Sequence, residues 1–201
     1  MNIRYITIER QYGSGGTQIA RRVAEQCGIR CYGREILETV AREQNVSVSA
    51  LEEYEERVSG SLLYSMFVMS QSQTGDPDLL SQEGKLYVAE SRVIHELSKN
   101  GPAVFVGHCA AHTLGEEDGV LRVFIYGETR DRCRRMIEEY GIAPKDTAAV
   151  SHRADHRRAG YYNFCTKKRW NDPENYDLAL NSSRLGIDGC AAALCALYQK
   201  H

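Results

Sequence analysis

No stretch of apolar residues in this chain approaches the ~20 that a membrane-spanning helix requires. The opening residues, Met1 to Glu9, read as a strand and not as a charged leader followed by a long apolar segment. A disulfide framework is missing too. The seven cysteines are odd in number and unclustered, and no C-x-x-C pair occurs, not even at Cys27 and Cys31. That argues against a zinc ribbon or a thioredoxin motif and suits reduced thiols in a cytoplasmic protein. No G-x-S-x-G elbow is present, so a hydrolase triad has no support. Internal repeats and low-complexity tracts are absent as well.

What is present is an ordinary globular mixture, 42% hydrophobic and 26% charged over 201 residues, enough for one sizeable core. The net charge of −2 is unevenly spread. Between Arg130 and Arg169 stand 11 Lys/Arg against 5 Asp/Glu, an excess of six, so the remainder carries −8. A basic stretch inside an acidic protein points to a local anion site, not to a surface coated for nucleic acid. His108 with His112, and His152 with His156, each have helical spacing. Neither pair has the Glu of H-E-x-x-H or a clear third ligand, so both read as surface or core histidines.

Strand and helix patterns alternate along the chain. Ile3 to Ile8 is β-branched and aromatic, a buried strand. It runs into the turn Tyr12-Gly13-Ser14-Gly15-Gly16-Thr17. Beyond it, Ile19, Ala20, Val23, Ala24 and Cys27 share one helical face, and Gly28 stops the helix. Ile29 to Tyr32 makes a short strand, and residues 34–58 read as helices with Ser47 or Ser49 as an N-cap. Gln71 to Pro77 is a polar loop. Leu86 to Leu97 is helical again, ended by Asn100-Gly101-Pro102. Ala103 to Val106 and Leu121 to Tyr126 are strands. Thr129 caps a helix to about Tyr140, residues 144–170 are basic and helical, Tyr176 to Leu180 is the last strand, and Ile187 to Tyr198 the last helix. This alternation predicts a single α/β domain with a parallel sheet covered on both faces.

The glycine-rich turn stands between a strand and a helix, the context in which such glycines gain meaning. Amides of the turn and of the helix start point at one spot, and the helix dipole adds positive potential. Against the pattern G-x-x-x-x-G-K-[ST], Gly15 matches the second glycine and Thr17 the hydroxyl. Arg10 stands at the first glycine, and Gly16 at the lysine. The missing lysine ordinarily puts a point charge on the β- and γ-phosphates, so another cation must replace it. Arg10 and the arginines after residue 129 are the candidates. The dinucleotide pattern G-x-G-x-x-G would need a glycine at Gln18 and is not met.

The stretch from Ile6 to Ala20, with its Tyr12-Gly13-Ser14-Gly15-Gly16, resembles the opening of the cytidylate-kinase-like family. The likeness continues through Val104-Phe105-Val106-Gly107-His108-Cys109-Ala110, where the family usually reads V-I-V-G-R-x-A. It is strongest in Asp155 to Phe164 and in Tyr176 to Ser183, and these segments span nearly the whole chain in order. The resemblance implies a P-loop kinase fold, a three-layer α/β sandwich on a central five-stranded parallel sheet. It implies a helical acceptor-binding region near 34–100 and a lid near 144–170. By that likeness Gly13, Ser14, Gly15, Gly16 and Thr17 hold the donor phosphates, joined by Arg10 as the replacement cation read from the residues, and Thr17 helps to place Mg²⁺. Arg153, Arg157 and Arg158 are the phosphate-contacting lid arginines, with Asp155 orienting one of them. Arg34, Arg42, Arg92 and His108 are the anion ligands of the acceptor side.

The activity implied is transfer of the terminal phosphoryl group of ATP, or another nucleoside triphosphate, to a nucleoside monophosphate, CMP or dCMP first. Gly16 departs from the common pattern G-x-x-x-x-G-K-[ST], and His108 departs from the family, since an arginine usually stands at position 108 to hold the acceptor's phosphate. Both departures keep two rivals open: a nucleotide-binding regulator on the same fold, and a kinase for another small metabolite. Tyr161, Tyr162, Phe164 and Trp170 interleave with Arg157, Arg158, Lys167, Lys168 and Arg169. That mixture is able to stack bases; here it is assigned to lid packing in preference to nucleic-acid binding.

Overall fold

In the computed structural model, which describes residues 2–51, 82–115 and 117–199, five short strands line up in parallel. They are β1 (Tyr5–Arg10), β2 (Arg30–Tyr32), β3 (Ala103–Val106), β4 (Val120–Tyr126) and β5 (Leu178–Asn181), in the order β2-β3-β1-β4-β5. All four residues of β3, Ala-Val-Phe-Val, are buried, as a strand covered on both faces demands. The covering helices are α1 (Gly16–Cys27), α2 (Arg34–Gln44), α3 (Gln82–Ser98), α4 (Ala110–Thr113), α5 (Thr129–Glu138), α6 (Thr147–Thr166) and α7 (Ser182–Gln199).

Alternation along the strands divides the core. Ile6, Ile8, Val104, Val106 and Val123 point toward Ile19 and Val23 of α1 and Leu194 of α7. Tyr5 and Phe105 point the other way, onto Ile36, Leu37 and Val40 of α2 and Leu86, Val93 and Ile94 of α3. A third, aromatic cluster joins Phe124 of β4 to Tyr161 and Tyr162 of α6 and to Trp170. It anchors the C-terminal half of α6 against the sheet. No helix among the described residues is long and apolar enough to cross a membrane.

Local signals act as expected at several ends. Gly28 takes φ 65°, its N–H bonds Glu25 O, and the Ile29 N–H reaches back to Ala24 O at 2.9 Å, closing α1 as a Schellman turn. Of the two serines considered for the next cap, Ser47 fills the role, its Oγ accepting the Ala50 N–H at 3.2 Å. Elsewhere the boundaries shift. Glu128 is the residue before α5, so Thr129 begins that helix instead of capping it. The basic stretch splits into a 3₁₀ turn at Pro144–Asp146 and α6, which ends where Lys167 turns left-handed. The last strand sits later than its apolar pattern predicts, because Pro173–Asn175 forms a turn ahead of it. The last helix starts early, at Ser182, where Asn181 Oδ1 accepts the Ser183 N–H, and it kinks at Gly186. The polar segment Gln71 to Pro77 lies outside the described residues, as do residues 52–58 of the helical stretch.

Candidate active site

The chain leaves the centre of the sheet at Arg10 and enters α1 at Gly16. Between them Gly13 and Gly15 adopt φ of 74° and 78°, the left-handed region that glycine enters freely. Space is also short at Gly15, where a Cβ would lie 2.3 Å from Cδ1 of Ile187. Because Gly15 is the residue before α1 and carries no side chain, the first amides of the helix are not capped. No acidic residue stands in that first turn, so the positive end of the helix dipole is unopposed there. Among the described residues, three buried side-chain polar atoms have no hydrogen-bond partner: Arg10 Nε, Ser14 Oγ and Gln18 Oε1. All three belong to this turn or its flanks. Buried polar groups are rarely left unpaired, so these atoms are able to take a polar ligand or water.

Guanidinium groups from the basic stretch converge on the same turn. Arg132 Nε donates to Tyr12 O at 2.7 Å, Arg135 Nη1 to Gly13 O at 2.5 Å, and Arg158 Nη1 to Arg10 O at 2.8 Å. Asp155 accepts the Tyr12 N–H at 2.6 Å through one oxygen and Arg132 Nη2 through the other. The partner of Asp155 is therefore Arg132 of α5, and not one of the arginines of its own helix. Arg158 also lies over the Tyr12 ring, 5.5 Å from its centre. Burial, and then the charge of Arg10, pull the Arg158 guanidinium down to about 9 against the opposing influence of Asp155. Desolvated like charges of this kind are relieved by an anion between them.

Beside the turn opens a cleft of about 530 Å³, walled by the ends of β1 and β3, the start of α2, and α6. Arg10, Arg34, His108, Arg157 and Arg158 all line it, together with Glu9, Tyr12 and Tyr161. His108 is aimed by backbone strain. Gly107, His108 and Cys109 take successive φ values of 76°, 56° and 53°, a left-handed run seldom tolerated away from functional sites. His108 Nδ1 donates to Glu90 Oε1 at 2.7 Å, and the Tyr161 hydroxyl donates to Glu90 Oε2. Glu90 is fully buried in α3, so this pair fixes the imidazole at the cleft wall. Trp170 Nε1 donates at 3.0 Å to buried Glu9, which also lines the cleft, and so ties it to the aromatic cluster.

Other residues singled out in the sequence lie elsewhere. Arg42 is exposed in the last turn of α2, and Arg92 pairs with Glu43 at 2.5 Å on an exposed face. Arg153 is exposed and borders a separate hollow of about 480 Å³ with His152 and His156, whose rings lie 6.2 Å apart. His108 precedes α4 while His112 lies within it, so they do not share a helix face. Burial, then the charge of Lys168, lowers the pKa of His112. No group of three metal-ligating side chains occurs among the described residues. Thr17 is the second residue of α1 and exposed.

Arg132 and Arg135 fall among the arginines after residue 129 offered as replacement cations but were not singled out, and Glu9 and Glu90 were not named as site residues. Arg132 and Arg135 are three apart in Thr129-Arg-Asp-Arg-Cys-Arg-Arg and so share a face, which is a usable signal. Glu90 interrupts the buried stripe Leu86, Ala89, Val93, Ile94, and a carboxylate on an apolar stripe is itself informative.

No protein with a curated description matches the chain. Among solved structures, an uncharacterized protein from Eubacterium ventriosum ATCC 27560 aligns with a TM-score of 0.73 at 21% identity, covering 98% of this chain and 99% of that one. A shikimate kinase from Bacteroides thetaiotaomicron aligns at 0.54 and 12% identity over 97% and 98% of the two chains. A gluconokinase from Sinorhizobium meliloti 1021 aligns at 0.52 and 14% over 99% and 95%. At these identities the likeness is one of fold, that of α/β P-loop kinases. Residues 5–184 match the cytidylate kinase-like family, and the chain belongs to that family: a kinase-like P-loop protein.

Proposed function

We propose that the protein transfers the terminal phosphoryl group of ATP, or another nucleoside triphosphate, to a small anionic acceptor, a nucleoside monophosphate with CMP or dCMP first. One observation carries the reading. One of the unpartnered polar atoms, Arg10 Nε, belongs to a residue that lines a cleft walled by four arginines, which supports a polyanion site beside an anion site. Phosphoryl transfer asks a protein for positioning and positive charge more than for covalent chemistry. In this reading Gly13 to Thr17 hold the donor phosphates, while Arg157 and Arg158 face the acceptor. An acceptor oxygen attacks the γ-phosphorus as the bond to the bridging oxygen breaks, leaving a nucleoside diphosphate. When the acceptor is a phosphate monoester dianion, no proton has to move.

Mg²⁺ is compatible with these residues. It takes few protein ligands when phosphates and water supply the rest, so the Thr17 hydroxyl at the head of α1 is a sufficient protein contribution. Bound with the donor, it neutralises charge on the β- and γ-phosphates.

A second reading, transfer to the hydroxyl of another small acidic metabolite, is favoured by His108. An imidazole held through Nδ1 by Glu90 suits a hydroxyl, from which it accepts a proton, better than the arginine it replaces. Purified protein with ATP and Mg²⁺ is assayed for ADP release against nucleoside monophosphates, nucleosides and small hydroxy acids. Release that depends on CMP or dCMP supports the first reading, and release that depends on a hydroxy acid supports the second. ATP binding by calorimetry without release on any acceptor refutes both and leaves a nucleotide-binding regulator.

A further inference from the structure

The two departures of the turn from the pattern G-x-x-x-x-G-K-[ST] touch each other. A Cβ on Gly16 would lie 2.5 Å from Cβ and 2.8 Å from Cγ of Arg10. No lysine stem can therefore leave residue 16 while an arginine occupies residue 10. A glycine at the first position of the common pattern clears that space. The Arg10 side chain then runs on to Gly107, where a Cβ would lie 2.2 Å from its Nη1 and 3.2 Å from its Cζ. Arg10 is thus threaded past two glycines, from the head of α1 to the end of β3. It lines the cleft, and its buried Nε has no partner among the described residues.

We propose that Arg10 carries, from the other end of the turn, the charge that a lysine at residue 16 would carry, and that it sits on the transferring phosphoryl group of a nucleoside triphosphate. This side chain fills the space over Gly16 and Gly107, and at Gly107 the φ of 76° favours glycine as well. The inference rests on the reading that the turn holds a polyphosphate, and it assigns the cation at the point of transfer. A guanidinium suits the post. It is planar, offers paired donors to phosphate oxygens and is less strongly hydrated than an ammonium. With its stem on the donor side and its head beside His108, it stands where donor and acceptor meet. The depressed pKa of Arg158, caused in part by the Arg10 charge, agrees with a cation pair awaiting an anion.

The test is calorimetric titration with inorganic tripolyphosphate, which needs no acceptor, accompanied by a thermal melt of each variant. Arg10→Gln keeps the Cβ and Cγ that lie over Gly16 and removes the charge together with the guanidinium head that reaches Gly107. It is expected to melt within about 3 °C of wild type and to bind tripolyphosphate about tenfold more weakly or worse. Gly16→Lys alone collides with Arg10 and loses both stability and binding. The exchange Arg10→Gly with Gly16→Lys restores affinity to within about threefold of wild type, because the ammonium now occupies the vacated space. Wild-type affinity in Arg10→Gln overturns the proposal, and so does a folded double exchange that binds no better than Arg10→Gln. If wild type binds tripolyphosphate and the variants behave as stated, the inference stands even where no acceptor is phosphorylated. The kinase reading can thus fail alone. Absence of tripolyphosphate binding by wild type overturns both.

Discussion

Removing the Asp155 carboxylate tests how the turn is held. One oxygen accepts the Tyr12 N–H at 2.6 Å and the other accepts Arg132, whose side chain is 11% exposed against 20% for Asp155. Asp155→Ala strips both donors of a charged partner. Each charge-assisted bond contributes about 1.5–3 kcal/mol when intact. Water reaching a partly exposed pair recovers some of this, so a net loss of about 3 kcal/mol is expected. For a domain of this size that lowers the melting temperature by about 6–12 °C. Asp155→Asn keeps one oxygen for Tyr12 and loses about half as much. Urea unfolding of Asp155→Ala, Arg132→Ala and the double variant closes a cycle whose coupling is expected at about 1–2 kcal/mol. Additive losses, with coupling below about 0.5 kcal/mol, would refute the clamp, as would an Asp155→Ala midpoint indistinguishable from wild type.

Three further outcomes are expected. Gly15→Ala forces a side chain into φ 78° and against Ile187, and should abolish ATP binding by calorimetry while lowering the melting temperature. Ser47→Ala removes the acceptor of the Ala50 N–H at an exposed helix start and should cost about 0.5–1 kcal/mol in urea unfolding, with ATP affinity unchanged. At pH 9 the free protein holds Arg158 only partly protonated, since burial and Arg10 depress it to about 9. An anion raises that pKa, so ATP binding takes up about half a proton there and weakens as pH climbs through 9. Calorimetry in two buffers of different ionisation enthalpy measures the uptake, and in Arg158→Met it should vanish.

What the chain revealed by itself was mostly what depends on neighbours in sequence. The continuous apolar run at Ala103–Val106 and the glycine after Cys27 were readable because burial on both faces and left-handed closure leave local marks. The start of α7 was not, since it depends on Asn181 accepting a backbone N–H and has no apolar period. Arginines posed the harder problem. Arg34, Arg157 and Arg158 reach the cleft while Arg42, Arg92 and Arg153 do not, and a charged residue on an amphipathic helix tells which face it avoids, not which cavity that face borders. Arg132 and Arg135 meet carbonyls more than a hundred residues away. Such pairings arise only once the sheet has brought β1 and β4 together.

The strand made first is the middle one of the sheet. Tyr5 takes its place opposite Ala103 on one flank and Val120 on the other, so a nascent chain must lengthen by about a hundred residues before either neighbour exists. At about 5–20 residues per second, translation leaves that β-prone hexapeptide without its mates for roughly 5–20 s. Over that interval the helix beginning at Gly16 is the nearest apolar surface it can lean on. Substitutions that weaken Ile19 or Val23 should therefore reduce the yield of folded protein on the ribosome by more than their effect on the finished molecule suggests.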